Sequence, residues 1–312
     1  MTGLNIPPDL LSCWDLDPIR SIDVLQLAES SAGGNVAFVQ TVTGARFVLK
    51  RETLRRNLQS EYGLLKALAA SGVPVAVPLQ ARSGESYVQV GDEYYNLSPQ
   101  LPGAVYTDHY GPGAEGRARQ FGVAIARLHG ALRGCDQIAS MPDMDLPGDI
   151  QRCGPLVRSI WPANQRPPGP ILTELETGLA KCFTLLPQQL LHRDAHPGNM
   201  LFQDGQLTGW IDFELMERGP RIFDLCYCST SLLMNGLDDP AKRQAWPRLV
   251  RALVEGYDSV SPITPVERGA IRMMQMAIGV LFIAWLAHNN YTAPAARNIE
   301  ALAWLYANPY EL

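Results

Sequence analysis

The sequence is short of several things, and each shortage excludes a class of function. Only 18% of its 312 residues are charged, and a net charge of −5 leaves no basic surplus for a nucleic-acid backbone. The longest apolar run, residues 276–287, falls well short of the ~18–20 residues that span a bilayer, so a buried helix is expected there and no membrane partner. Residues 1–20 lack the basic start and apolar stretch of a secretory leader. Cysteine is sparse: there are six, without one Cys-x-x-Cys, and Cys226-Tyr227-Cys228 has the wrong spacing for a zinc knuckle. Free thiols in a reducing compartment are the simpler expectation, which places the protein in the cytoplasm. Internal repeats and low-complexity segments are absent too.

What is present is a core-forming chain, 46% hydrophobic and long enough for two lobes, with one dense polar stretch. Residues 192–199 read His-Arg-Asp-Ala-His-Pro-Gly-Asn, which contains the His-Arg-Asp-x-x-x-x-Asn spacing of kinase-type catalytic loops. Two short apolar runs follow, joined by Asp204-Gly205, the strongest short-range hairpin signal. A hairpin returns the chain to its start, so Asp212, just past it, is expected near Asn199. Asp194 would then face a substrate hydroxyl, with Asn199 and Asp212 as hard-oxygen ligands for the Mg²⁺ of a bound triphosphate. Phosphoryl transfer asks for this kind of positioning and charge neutralisation more than for covalent chemistry.

The stretch from His192 to Asn199, then Ile211-Asp212-Phe213-Glu214, then Gly219-Pro220-Arg221 with Asp224-Leu225, resembles the aminoglycoside phosphotransferase and choline kinase superfamily. That superfamily includes homoserine kinases of the protein-kinase-like type. The resemblance spans about residues 30–290 in motif order and implies a two-lobed α+β protein-kinase-like fold. A small antiparallel-sheet lobe with one helix (1–100) would bind nucleotide. A larger, mainly helical lobe (101–312) would hold the catalytic loop and the acceptor. The implied reaction moves the γ-phosphoryl group of ATP to a hydroxyl of a small molecule, in a monomer or homodimer. Aminoglycoside-like, amino alcohol and homoserine-type acceptors all stay open.

The same resemblance gives the first hundred residues their roles. Gly33 and Gly34 lie in a loop that would cover the ATP phosphates, and Lys50 ends a strand where the family's lysine contacts the α- and β-phosphates. Taken alone, a Gly-Gly pair is a flexible turn and a strand-end lysine a solvated gatekeeper. Residues 54, 58, 61, 65 and 68 fall on one helical face as Leu, Leu, Glu, Leu, Leu. A carboxylate within an apolar stripe is costly to bury without a cation, so Glu61 is expected to pair with Lys50. Pro99-Gln100-Leu101 resembles the lobe connector to which adenine bonds. Proline has no N–H, so Gln100 or Leu101 must donate.

Farther on, His129 and Asp224 read as structural, with Asp224 accepting backbone N–H groups near the catalytic loop. Residues 134–170 are proline-rich and read as a long loop bearing two acceptor-pocket candidates, Arg158 and Trp161. Met273, Met274, Met276, Phe282 and Trp285 read as core. Glu214, Glu217, Asp238, Asp239 and Asp258 are candidates to meet a substrate amine. Asp224 follows only twelve residues after Asp212, and Asp-Phe-Glu stands where a protein kinase carries Asp-Phe-Gly. Without an activation segment a protein substrate lacks its platform, which disfavours a protein kinase. A non-catalytic nucleotide-binding scaffold is the remaining alternative, and it has no need of Lys50, Glu61, Asp194, Asn199 and Asp212 together.

Overall fold

The computed structural model describes residues 4–25, 35–52, 58–135, 141–163 and 168–312. The chain forms two compact units, and the division is not a single cut. The first takes the described residues up to Ala104 together with Leu201–Glu214; the second takes the described residues from Val105 to Met200, and Leu215–Leu312.

In the first unit, β1 (Ile19–Val24), β2 (Val36–Thr41), β3 (Arg46–Glu52), β4 (Val88–Val90) and β5 (Glu93–Pro99) form an antiparallel sheet in the order β1-β2-β3-β5-β4. Strand β2 alternates strictly, burying Ala37, Val39 and Thr41 on one face. Leu49, Tyr95 and Leu97 join that face, and Leu4, Leu10 and Trp14 cover it from the N-terminal segment. Trp14 is fixed by its indole N–H, which donates to the Leu79 carbonyl at 3.3 Å. The single helix, α1 (Leu58–Ala70), buries Leu58, Leu64, Leu65 and Leu68.

The hairpin of β7 (Met200–Gln203) and β8 (Gln206–Trp210) turns at Asp204 and Gly205, both with positive φ, as a type I′ turn requires. It is stitched to residues 102–104. Ala104 and Phe202 exchange backbone hydrogen bonds, and Thr208 Oγ1 donates to the Pro102 carbonyl at 2.7 Å. Between them Gly103 has φ of 94°, and a Cβ there would strike the Phe202 carbonyl, so only glycine fits.

The second unit carries α2 (Ala114–Arg133), α3 (Leu146–Ile160), α4 (Gly169–Cys182), β6 (Gln188–Leu191), β9 (Glu217–Pro220), α5 (Ile222–Gly236), α6 (Pro240–Asp258), α7 (Pro265–His288) and α8 (Thr292–Ala307). Helix α3 corrects the long loop expected over 134–170. Asp145 caps it, Pro147 sits in the first turn where no N–H is missed, and Leu146, Ile150 and Val157 are buried. Burial outweighs the hydrogen bond that Pro155 forfeits inside it. Helix α7 is long and apolar enough to cross a membrane by length and composition, but 61% of its apolar window is buried inside the protein. Trp285, expected in the core, is 54% exposed on that helix, while Met274 and Met276 are buried. A buried ion pair ties α5 to α7: Arg221 bonds both Glu267 oxygens, Ser261 Oγ and the Pro262 carbonyl. All six cysteines are free.

Helices α2 and α6 approach so closely that a Cβ on Gly122 would collide with the Leu253 carbonyl oxygen, whereas Gly116, earlier on α2, faces open space. Gly116→Ala is expected to raise stability by roughly 0.5–1 kcal/mol. Gly122→Ala should lower it by ~1–3 kcal/mol or more. Urea unfolding checks both, and equal midpoints would contradict the close approach.

Candidate active site

The catalytic loop hangs from a short ladder. β6 pairs antiparallel with β9 from Gln188–Pro220 to Leu191–Glu217, and residues 192–199 follow. Asp224, completely buried on α5, accepts the backbone N–H of His192 and of Arg193, each at 2.8 Å. Its Oδ2 also meets His129 Nε2 at 3.0 Å, and His129 Nδ1 meets the Tyr257 hydroxyl at 2.9 Å. Arg193 takes a left-handed φ of 71°, and its side chain pairs with Glu217 at 2.8 Å while lying over the Phe223 ring. A non-glycine residue is strained there and persists only where its surroundings over-determine it, as Asp224, Glu217 and Phe223 do.

Asp194 follows, and both its oxygens are engaged. Asn199 Nδ2 donates to Oδ2 at 2.8 Å and to the Asp194 carbonyl at 2.9 Å, while the Tyr227 hydroxyl donates to Oδ1 at 2.5 Å. With its amide hydrogens committed to Asp194, Asn199 keeps its oxygen, the atom a hard cation takes. Tyr227 is a site residue that the sequence analysis passed over. It lies three residues after Asp224 on α5, and that helical spacing was the available signal.

In the first unit, Lys50 Nζ lies 2.7 Å from Glu214, 2.8 Å from Asp212 and 3.7 Å from Glu52. Burial works against the ammonium, but Asp212, then Glu52 and Glu214, more than offset it and hold the pKa above the ordinary lysine value. Glu61, the partner expected from the helical stripe, is not one of these three carboxylates. Glu61 is half-buried in the first turn of α1, beside the face that Leu58, Leu65 and Leu68 bury. Asp212, like Arg193, has a left-handed φ, 62°. Three carboxylates against one ammonium leave an excess of hard-oxygen donors, which suits a divalent cation. Among the described residues no three His, Cys, Asp or Glu side chains form a metal cage by themselves. Mg²⁺ seldom needs one, since it binds through one or two carboxylates together with water and phosphate.

Gly33 and Gly34 lie outside the described residues. Pro99 ends β5 opposite Phe47, and the Gln100 N–H is taken by the Arg46 carbonyl at 2.9 Å. Gly209 lets the hairpin approach the Leu101 side chain, where a Cβ would be crowded. Arg158 pairs with Glu176 and Trp161 is buried. The five carboxylates offered to a substrate amine are all engaged elsewhere: Glu214 by Lys50, Glu217 by Arg193, Asp238 by Arg297, Asp239 by the N-terminus of α6, and Asp258 by Arg268 and the Ile263 N–H.

A match to the phosphotransferase enzyme family, APH, runs over residues 24–267, most of the chain. The chain belongs to that family. It is a small-molecule kinase of the protein-kinase-like fold. A homoserine kinase of Gluconobacter oxydans (strain 621H) is 25% identical over 270 residues, covering 84% of this chain and 81% of that protein. An aminoglycoside phosphotransferase from Alicyclobacillus acidocaldarius shares the fold with a TM-score of 0.69 at 20% identity, covering 98% of this chain and 96% of that one. A microcompartment-associated aminopropanol kinase does so with a TM-score of 0.68 at 20% identity, covering 94% and 93%.

The buried Asp224 sets a pH dependence. Burial pushes its carboxyl toward neutrality, but His129, then His192 and the backbone N–H groups, outweigh that and hold its pKa below the ordinary carboxylate range. A carboxyl depressed on folding contributes stability that is complete above its unfolded pKa and is lost as pH falls through the folded one. Asp224→Asn should therefore cost ~3–5 kcal/mol at pH 7 and flatten the loss of stability in acid. Urea midpoints measured from pH 7 to pH 3 check this; parallel curves for the two proteins would contradict it.

Proposed function

We propose that the protein transfers the γ-phosphoryl group of ATP to the hydroxyl of a small amino acid or amino alcohol, with homoserine the leading acceptor. The observation that carries this reading is the Asp194 carboxylate, aligned by Asn199 and Tyr227 on a loop that Asp224 pins from behind. A carboxylate offers about four lone-pair sites, so two donated hydrogen bonds leave room for an acceptor hydroxyl. Asp194 takes the hydroxyl proton as the acceptor oxygen attacks phosphorus, and it orients that oxygen in line with the leaving group.

Lys50 exchanges Asp212 for phosphate, which it neutralises, and Leu101 N–H is the connector's donor to the base. Asn199 and Asp212 are the proposed ligands of Mg²⁺, which would supply charge neutralisation to the triphosphate. Glu214 stays with Lys50 and gives the ammonium an anchor when Asp212 turns to the metal. Glu61 remains the proposed partner for Lys50 in the nucleotide-bound state, since helices of this kind move on closure.

Two considerations favour a small acceptor over a polycationic antibiotic. The acidic residues that would meet several ammonium groups are committed to partners within the chain. Homoserine kinases are also among the relatives that match across most of the chain's length.

ADP release from Mg-ATP, measured with homoserine, aminopropanol, choline and an aminoglycoside, tests the reading. Homoserine should give the highest kcat/KM, and activity confined to the aminoglycoside would overturn the acceptor assignment. Asp194→Ala should lower turnover by ~10²–10⁴-fold with ATP affinity retained; turnover within a few-fold of wild type would remove Asp194 from its role. Asp212→Asn should weaken Mg²⁺-dependent nucleotide binding more than Asp194→Ala does. Calorimetric titration with Mg-ATP reads the difference, and equal affinities would contradict the metal assignment.

A further inference from the structure

The phenol of Tyr227 has no structural need of Asp194 to stay in place. Its ring stacks on Phe223, centroids 6.2 Å apart and planes at 20°, and packs against Phe282 of α7 at 5.5 Å. The ring is thus fixed by α5 and α7 before its hydroxyl is counted. The hydroxyl then reaches Asp194 Oδ1 at 2.5 Å, the length of a charge-assisted O–H···O⁻ bond. Oδ2 is held by Asn199 from the end of the loop itself. His196 Nε2 stands 3.7 Å from Oδ2, too far for a hydrogen bond and close enough to bound that side.

We propose that Tyr227 is a positioning residue for phosphoryl transfer, whose ring-anchored hydroxyl fixes the plane of the Asp194 carboxylate so that Oδ2 meets the acceptor hydroxyl. The inference rests on Asp194 being the proton acceptor. The terminal torsion of an aspartate is broad, so a carboxylate held at one oxygen still rocks about that bond, and holding both oxygens from different elements removes the freedom. Orientation of this kind matters because reaction requires a near-attack geometry. In the step itself the acceptor O–H bond breaks and its proton goes to Asp194. The acceptor oxygen forms its bond to the γ-phosphorus, and the bond from that phosphorus to the bridging oxygen breaks with its electron pair leaving on ADP. Tyr227 keeps its proton throughout. Burial, and then the neighbouring Asp194, push its pKa above the ordinary phenol value, which favours the proton staying on the phenol.

The test is Tyr227→Phe in the full chain, which deletes one oxygen and keeps the ring. It is assayed with Mg-ATP and the acceptor of highest turnover from the panel, beside Asp194→Asn. The expected result is a kcat lower by ~10–100-fold, with KM for ATP and for acceptor within about two-fold of wild type and an unchanged melting temperature. Phe282→Leu, which loosens the ring and leaves the hydroxyl, should show the same kcat-only defect at roughly three- to ten-fold, and it keeps the proposal open to refutation if Tyr227→Phe folds poorly. A wild-type kcat in Tyr227→Phe beside an inactive Asp194→Asn overturns the role of Tyr227 alone. An active Asp194→Asn overturns the underlying reading. A raised acceptor KM at unchanged kcat would make Tyr227 a substrate contact, and a kcat that falls only with the folded fraction would make it structural; either result overturns the proposal.

Discussion

A carboxylate with no access to water must be answered by donors, and Asp224 finds them in the backbone of the catalytic loop. Its two oxygens take the N–H groups of His192 and Arg193, and His129 closes the arrangement with Tyr257 behind it. The left-handed Arg193 follows from this, since the chain must turn sharply to present two successive N–H groups to one side chain. Asp194 is delivered by that turn. The same helix that carries Asp224 carries Tyr227 one turn later, so one rigid element both pins the loop and reaches the Asp194 carboxylate. Removing one partner of a fully buried charge cluster costs far more than the cluster is worth against an apolar replacement, which makes this constraint hard to relax.

In the first unit the organising interaction is of the opposite kind. Lys50 is partly accessible, with 22% of its side chain exposed, and it is shared among three carboxylates. Solvent weakens each of these contacts, so they can be exchanged. A buried pin and a half-exposed, exchangeable cluster suit different tasks. The first suits fixing the proposed proton acceptor in place, and the second suits being remade on binding of the proposed Mg-ATP.

Long, strongly periodic segments were legible in the sequence. From its sequence the chain is expected to form helices at about 115–132, 222–235, 241–257, 265–290 and 294–307, and they stand at Ala114–Arg133, Ile222–Gly236, Pro240–Asp258, Pro265–His288 and Thr292–Ala307. The Asp204-Gly205 turn and the acceptor role of Asp224 were legible too, because each rests on local chemistry. Helix α3 was hidden by its prolines, since a proline in the first turn and one inside look the same on paper as two loop prolines. The N-terminal plug was hidden because Leu4, Leu10 and Trp14 have no period of their own and answer only to the sheet they cover. At the candidate site the sequence could name residue types but not partners. The Lys50 cluster draws Asp212 and Glu214 from more than 160 positions away, and no local pattern predicts whether such a carboxylate or Glu61 reaches the ammonium first. Tyr227 was missed for the same reason, because an aromatic residue on an apolar helix reads as core until its hydroxyl is placed.

A kinase of this kind passes phosphoryl to an alcohol rather than to water. Phosphorus NMR of the protein incubated with Mg-ATP and homoserine follows the γ-phosphorus directly. A phosphomonoester resonance that grows in step with ADP is the result expected. Growth of inorganic phosphate alone, or intact ATP with homoserine and with every other alcohol offered, would contradict it.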